Sequence, residues 1–167
     1  METNLCVAGF GGQGVMTLGK FLASATCDAT DKKVTFFPSY GAEQEIGAPL
    51  GDVMDDLIVM NGPSLKKFLP TLKKGGTLFI NSSIVSDKID RTDVKLVKAP
   101  VTEMALEMGN AKVLNVIMLG VYVGYTEVVP PEVVWSTIEH KMAKKPKLLP
   151  LNKEAFEKGL AIGREQK

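Results

Sequence analysis

A short apolar segment, Leu5–Ala8, runs straight into Gly9-Phe10-Gly11-Gly12-Gln13-Gly14-Val15-Met16. Glycines so spaced let the backbone take positive φ and come close to a ligand. A helix beginning at such a turn points its unpaired N–H groups and positive dipole end at the same place. The chemistry this suits is binding of an anion, phosphate above all. Gly11, Gly12 and Gly14 would offer N–H groups, and Gln13 an amide. Gly9, Gly11 and Gly14 also fit G-x-G-x-x-G, the spacing of dinucleotide-binding turns.

A second polar set falls where strands are expected to end. Ser39, Tyr40, Gly41 and Glu43 follow a predicted strand at Val34–Phe37, Asn61 follows one at Asp56–Met60, and Asn81, Ser82 and Ser83 follow one at Thr77–Ile80. Open α/β sheets bind ligands at these carboxyl ends. A dinucleotide site also wants an acid at the tip of the second strand, about 20 residues past the glycines. Here that strand ends Phe37-Pro38-Ser39-Tyr40-Gly41, and Glu43 comes later, so NAD binding is not expected.

Other catalytic schemes fail on inventory. The single histidine, His140, lies on a predicted helix between Glu139 and Lys141, which removes Ser-His-Asp and Cys-His arrangements. Cys6 and Cys27 make no C-x-x-C, and no histidine or cysteine pair has metal-ligand spacing. Gly51-Asp52-Val53 with Asn81 imitates a thiamine diphosphate–magnesium motif, but lacks its second glycine and paired asparagine. No catalytic residue and no metal site are assigned to this chain.

The elements that must position these residues alternate through the first half, which argues for an α/β fold with a mostly parallel sheet, flanking helices and a helical C-terminal part. Strands are predicted at Leu5–Ala8, Val34–Phe37, Asp56–Met60, Thr77–Ile80 and Val94–Val97. The third is apolar throughout, so it should be covered on both faces. A helix from Val15 to about Asp28 presents Val15, Leu18, Leu22 and Ala25 on one face. A second starts near Pro63 and is kinked or ended by Pro70, and Gly75-Gly76 terminates that segment. Thr102 is expected to cap a short helix through Met108. Val113 to about Tyr125 reads as a buried helix, and Pro131 opens another. Asn152 is expected to cap the last, with Leu151 and Phe156 as a hydrophobic staple. Tyr40–Asp55 carries no helical apolar face, although a parallel crossover normally needs one.

With 167 residues, 45% hydrophobic and 23% charged, the chain reads as one soluble domain, residues 1–167. A net charge of +1 predicts neither nucleic-acid nor membrane binding, and Lys144-Lys145-Pro146-Lys147 reads as a solvated connector. The Leu5–Gly9 run is too short for a signal peptide, and no apolar run approaches a membrane span. A reducing cytoplasm suits the cysteine usage.

The ordered set of motifs resembles the gamma subunit of 2-oxoacid:ferredoxin oxidoreductases. It comprises Gly9–Val15, Gly19-Lys20 and Leu22-Ala23; Phe37-Pro38-Ser39-Tyr40-Gly41-Ala42-Glu43; Ile46-Gly47-Ala48-Pro49; Met60-Asn61-Gly62-Pro63-Ser64-Leu65; Gly75-Gly76; Asn81-Ser82-Ser83; and Asn115–Gly120. The resemblance implies a Rossmann-like subunit of an enzyme that oxidatively decarboxylates a 2-oxoacid, forms an acyl-coenzyme A and reduces ferredoxin. It implies that thiamine diphosphate, Mg and Fe–S clusters sit on alpha and beta subunits, with or without a delta subunit. Coenzyme A is the implied co-substrate. The Phe-Pro-Ser-Tyr-Gly signature is closer to the 2-oxoglutarate and branched-chain branches than to the pyruvate branch, and 2-oxoglutarate is the expected substrate. A stand-alone nucleotide-binding or regulatory module is the alternative. One departure stands out: Gln44-Glu45 joins Gly-Ala-Glu directly to Ile-Gly, where the family carries a Gly/Thr/Asn-rich stretch and a strand. Either the chain carries a deletion there or a loop is missing from the sequence between Glu43 and Ile46, and the second is the expectation.

Overall fold

The structure, a computed structural model, describes residues 3–10, 12–31, 33–35 and 53–167. Among the described residues four parallel strands form one sheet in chain order: β1 (Leu5–Ala8), β2 (Met54–Val59), β3 (Leu72–Asn81) and β4 (Lys95–Ala99). The register pairs Leu5 with Asp56, Leu57 with Leu78, and Phe79 with Val97. Around the sheet lie α1 (Val15–Ala29), α2 (Gly62–Phe68), α3 (Val101–Glu107), α4 (Leu114–Thr126), α5 (Pro131–Lys141) and α6 (Leu149–Gln166). This is the expected α/β architecture with a helical C-terminal part.

Strand alternation divides the core into two layers. Ile58, Phe79 and Val97 face the larger one, built from α1 and α3 to α6. Leu57, Val59, Leu78 and Ile80 face the smaller one, closed by Leu65 of α2 and by Val85 of the β3–β4 connection. Apolar side chains on both faces at the carboxyl end of β2 explain why that strand reads as a continuous apolar run. The β3–β4 connection contains no helix. Arg91 anchors it, donating to the carbonyls of Leu69 (3.0 Å) and Leu72 (2.7 Å) and pairing with Asp93 through two further nitrogens.

Several boundaries differ from expectation. Val34 and Thr35 belong to no strand, and the rest of the predicted second strand lies outside the described residues. Gly75-Gly76 does not end a segment but lies inside β3, where the register shifts and Gly75 takes φ +80°. A bulge with a left-handed residue serves as well as a stop at that position. Pro70 does end α2, in a short 3₁₀ turn over Leu69–Thr71.

Thr102 does not cap α3; its hydroxyl accepts from Asn81 Nδ2 at 2.9 Å, and Ser83 Oγ accepts the Glu103 N–H instead. Asn152 does not cap α6, which starts earlier, with Pro150 in its first turn. The Asn152 side chain is buried and donates to the Leu148 carbonyl at 2.8 Å. No helix among the described residues is long and apolar enough to cross a membrane.

Candidate functional site

The Gly-rich turn leaves β1 at Ala8 and enters α1 through Gly14, at φ 71°. Gly12 also takes positive φ, at 87°, and Gly11 lies outside the described residues. At Gly14 the lack of a side chain is required twice over. The backbone is left-handed, and a Cβ would come within 2.6 Å of Asn115. Asn115, buried at the head of α4, donates from Nδ2 to the Gly14 carbonyl at 3.4 Å and accepts the Val116 N–H through Oδ1. The turn is thereby pinned from the helical layer.

Gln13 pins it from the sheet. Its Oε1 accepts the Phe10 N–H at 2.7 Å and Asn61 Nδ2 at 3.1 Å, while Nε2 donates to the Met60 carbonyl at 3.1 Å. Asn61, which is buried, also caps α2 by accepting the Ser64 N–H at 2.9 Å. The two side-chain amides thus tie the turn to the carboxyl end of β2. Asn81 is fully buried and linked to Thr102 and to the Ser83 N–H. Ser82 donates its backbone N–H to the Ala99 carbonyl. Ser39, Tyr40, Gly41 and Glu43 lie outside the described residues.

A cleft of about 810 Å³ opens beside the turn. Gly9, Gly12 and Gly14 line it together with Val15, Met16 and Thr17, the first turn of α1 and so the holders of its unpaired N–H groups. Phe21, Val116, Met142 and Leu148 supply apolar wall. Lys112, Lys141, Lys144 and Lys145 also line it, and none of the described lining residues is a carboxylate. Lys112 lies in the 3₁₀ turn before α4, Lys141 at the end of α5, and Lys144 and Lys145 just beyond it, all far from the glycines in sequence. Lys144-Lys145-Pro146-Lys147 is the exposed connector between α5 and α6 that the sequence suggests, and the fold sets its first two lysines at the cleft. A second hollow of about 750 Å³ lies on the other side of Phe10, between Asn61, Pro63, Lys66, Lys67, Ile84 and Asp87. Of the residues singled out in the sequence, Gly12 and Gly14 line the lysine cleft, Asn61 lines the second hollow, and Asn81, Ser82 and Ser83 line neither.

Among the described residues no three His, Cys, Asp or Glu side chains converge as metal ligands. Cys6 lies partly buried in β1, where burial pushes its thiol up to about 11. Cys27 is exposed on α1, and His140 is exposed on α5. What the described geometry offers is a cleft with a helix N-terminus, four lysines and an apolar wall.

A parallel α/β sheet with a Gly-rich turn at the head of α1 defines a Rossmann-like protein. The family model for pyruvate ferredoxin/flavodoxin oxidoreductase matches residues 4–53 and 46–162, and the chain belongs to that family. The match divides close to Gln44-Glu45, where the sequence departs from the family pattern. The chain is 31% identical over 180 residues to the ketoisovalerate oxidoreductase subunit VorA of Methanothermobacter thermautotrophicus, covering 98% of this chain and 37% of that one. It thus spans little more than a third of that relative's length. With the 2-oxoglutarate synthase subunit KorC of Methanocaldococcus jannaschii it shares 28% identity, over 99% of this chain and 96% of that one. Two solved structures share the fold at a TM-score of 0.84. One is the gamma subunit of a keto/oxoacid ferredoxin oxidoreductase from Geobacter sulfurreducens (22% identity, 99% of this chain and 98% of that one). The other is a 2-oxoglutarate:ferredoxin oxidoreductase from Magnetococcus marinus with 2-oxoglutarate, coenzyme A and succinyl-CoA bound (24% identity, 96% of this chain and 31% of that one).

Proposed function

We propose that residues 1–167 form one gamma-type domain of a multi-subunit 2-oxoacid:ferredoxin oxidoreductase, with 2-oxoglutarate as the preferred 2-oxoacid and acyl-CoA as product. The observation that carries this reading is the cleft at the Gly-rich turn, in a chain whose relatives include VorA and KorC. A phosphorylated co-substrate is what such a cleft accepts: backbone N–H groups and a helix N-terminus on one wall, ammonium groups on another. In this reading the cleft holds the phosphates of coenzyme A, one of the three ligands named for the Magnetococcus marinus structure.

Decarboxylation and electron transfer to ferredoxin belong to thiamine diphosphate, Mg and Fe–S clusters on alpha and beta subunits, and on a delta subunit where one is present. The chain's own part is to bind and orient the thioester-forming co-substrate and to help close the site. Gln13 and Asn61 serve by holding the turn in shape. Phe10 and Ile84, 55% and 48% exposed, give the second hollow an apolar rim suited to a neighbouring subunit. The complex is read as cytoplasmic.

Affinity purification of the tagged native protein tests this directly. Chains bearing thiamine diphosphate and Fe–S clusters should co-elute in stoichiometric amounts, giving a brown complex. A colourless protein eluting alone would contradict the subunit role and favour a stand-alone nucleotide-binding module.

A further inference from the structure

The lysines of the cleft exceed what a diphosphate needs. The Gly-rich turn and the first turn of α1 already present dipolar donors, equivalent to roughly half a positive charge at a helix N-terminus. To these the fold adds Lys112, Lys141, Lys144 and Lys145. None of the four is in an ion pair with a described residue, and no described carboxylate lines the cleft to offset them. Lys141 belongs to the last turn of α5, where a cation is favoured by the helix dipole alone. That account does not extend to Lys144 and Lys145, which lie beyond the helix, nor to Lys112 at the other wall. All four are exposed, and in a chain of net charge +1 their convergence on one cleft raises a local positive potential that favours a multiply charged anion.

We propose that Lys112, Lys141, Lys144 and Lys145 make the cleft selective for a nucleotide carrying a phosphomonoester in addition to its diphosphate, so that coenzyme A is bound in preference to its 3′-dephospho form. The proposal rests on the reading of the cleft as the coenzyme A site and adds its specificity determinants. A phosphomonoester contributes a charge of about −1.5 to −2 at neutral pH, and a diphosphate linkage adds about two more negative charges. The sum is close to the charge of four ammonium groups. Lysine suits the task as a mobile point charge, placed at the end of a flexible stem. The apolar wall of Phe21, Val116, Met142 and Leu148 gives the uncharged part of the nucleotide a surface to lie on.

The test is equilibrium binding to the purified complex by titration calorimetry, without 2-oxoacid and so without turnover. The probes are coenzyme A and 3′-dephospho-coenzyme A. The expected result is a preference for coenzyme A of about tenfold or more, the range of one or two charge-assisted contacts. That preference should shrink as ionic strength rises. In the double variant K144Q/K145Q it should fall below about threefold. In K158Q, whose lysine pairs with Glu154 on α6, it should not change. Circular dichroism establishes that each variant is folded. Equal affinity for the two probes, or an undiminished preference in folded K144Q/K145Q, overturns the selectivity while leaving the coenzyme A site in place. Failure of the wild-type complex to bind either probe overturns the underlying reading as well.

Discussion

Two kinds of side chain make the turn what it is. Gln13 and Asn61 look from the sequence like ligand-binding amides, yet each is spent on neighbours: the Phe10 N–H, the Met60 carbonyl, the Ser64 N–H and one another. Their work is preorganisation, since a glycine-rich segment is costly to order. A separate polar pair lies at the opposite end of β2, where Tyr122 in α4 donates from its hydroxyl to Asp56 Oδ2 at 2.9 Å. Burial pushes the Asp56 carboxyl up, and the Tyr122 hydrogen bond pulls against that shift. For a carboxyl raised by folding, the contribution to stability is complete below the unfolded value of about 3.9 and is lost as pH rises through the folded value. Removing the donor in Tyr122→Phe raises the folded value further and deepens that loss. The variant should therefore lose about 1 kcal/mol at pH 7 and less at pH 3, in urea titrations at both pH values. Equal losses at the two pH values would show that the bond does not discriminate between carboxyl and carboxylate.

Among the elements, α4 and α6 show how close two backbones can come. Gly120 and Gly124 face Gly159 and Gly163, and a Cβ on Gly159 would lie 2.0 Å from the Ile117 carbonyl oxygen. Backbone cannot move aside as a flexible side-chain tip can. Gly159→Ala should cost about 2–3 kcal/mol, read from the urea midpoint. A loss under about 0.5 kcal/mol would mean that the helices slide apart at little expense.

This pairing also marks what the sequence could and could not tell. The buried α4 was legible because Val113–Tyr125 is apolar but for Asn115 and its glycines, and β2 because both faces of its carboxyl end are apolar. Caps were less legible. Thr102 and Asn152 are residue types that cap helices, but each found a better partner in tertiary structure. The glycines of the site were plain, since their spacing is local. The lysines were not, because only folding brings the end of α5 to the turn between β1 and α1.

At the scale of the whole molecule, the described chain presents a lysine-lined cleft at its Gly-rich turn. The proposed 2-oxoacid chemistry assigns it to a complex, and in that reading Phe10 and Ile84, exposed large hydrophobics, offer part of a surface for building one. Matching VorA over 37% of its length, and KorC over 96%, shows the same unit within a longer chain and as nearly a whole one. The central claim is best tested by a single assay on the tagged, purified complex: dye reduction driven by 2-oxoglutarate, with and without coenzyme A. The account predicts reduction that requires both 2-oxoglutarate and coenzyme A and yields succinyl-CoA. A complex that reduces the dye with no 2-oxoacid among those tried, or that does so with no need for coenzyme A, would contradict it.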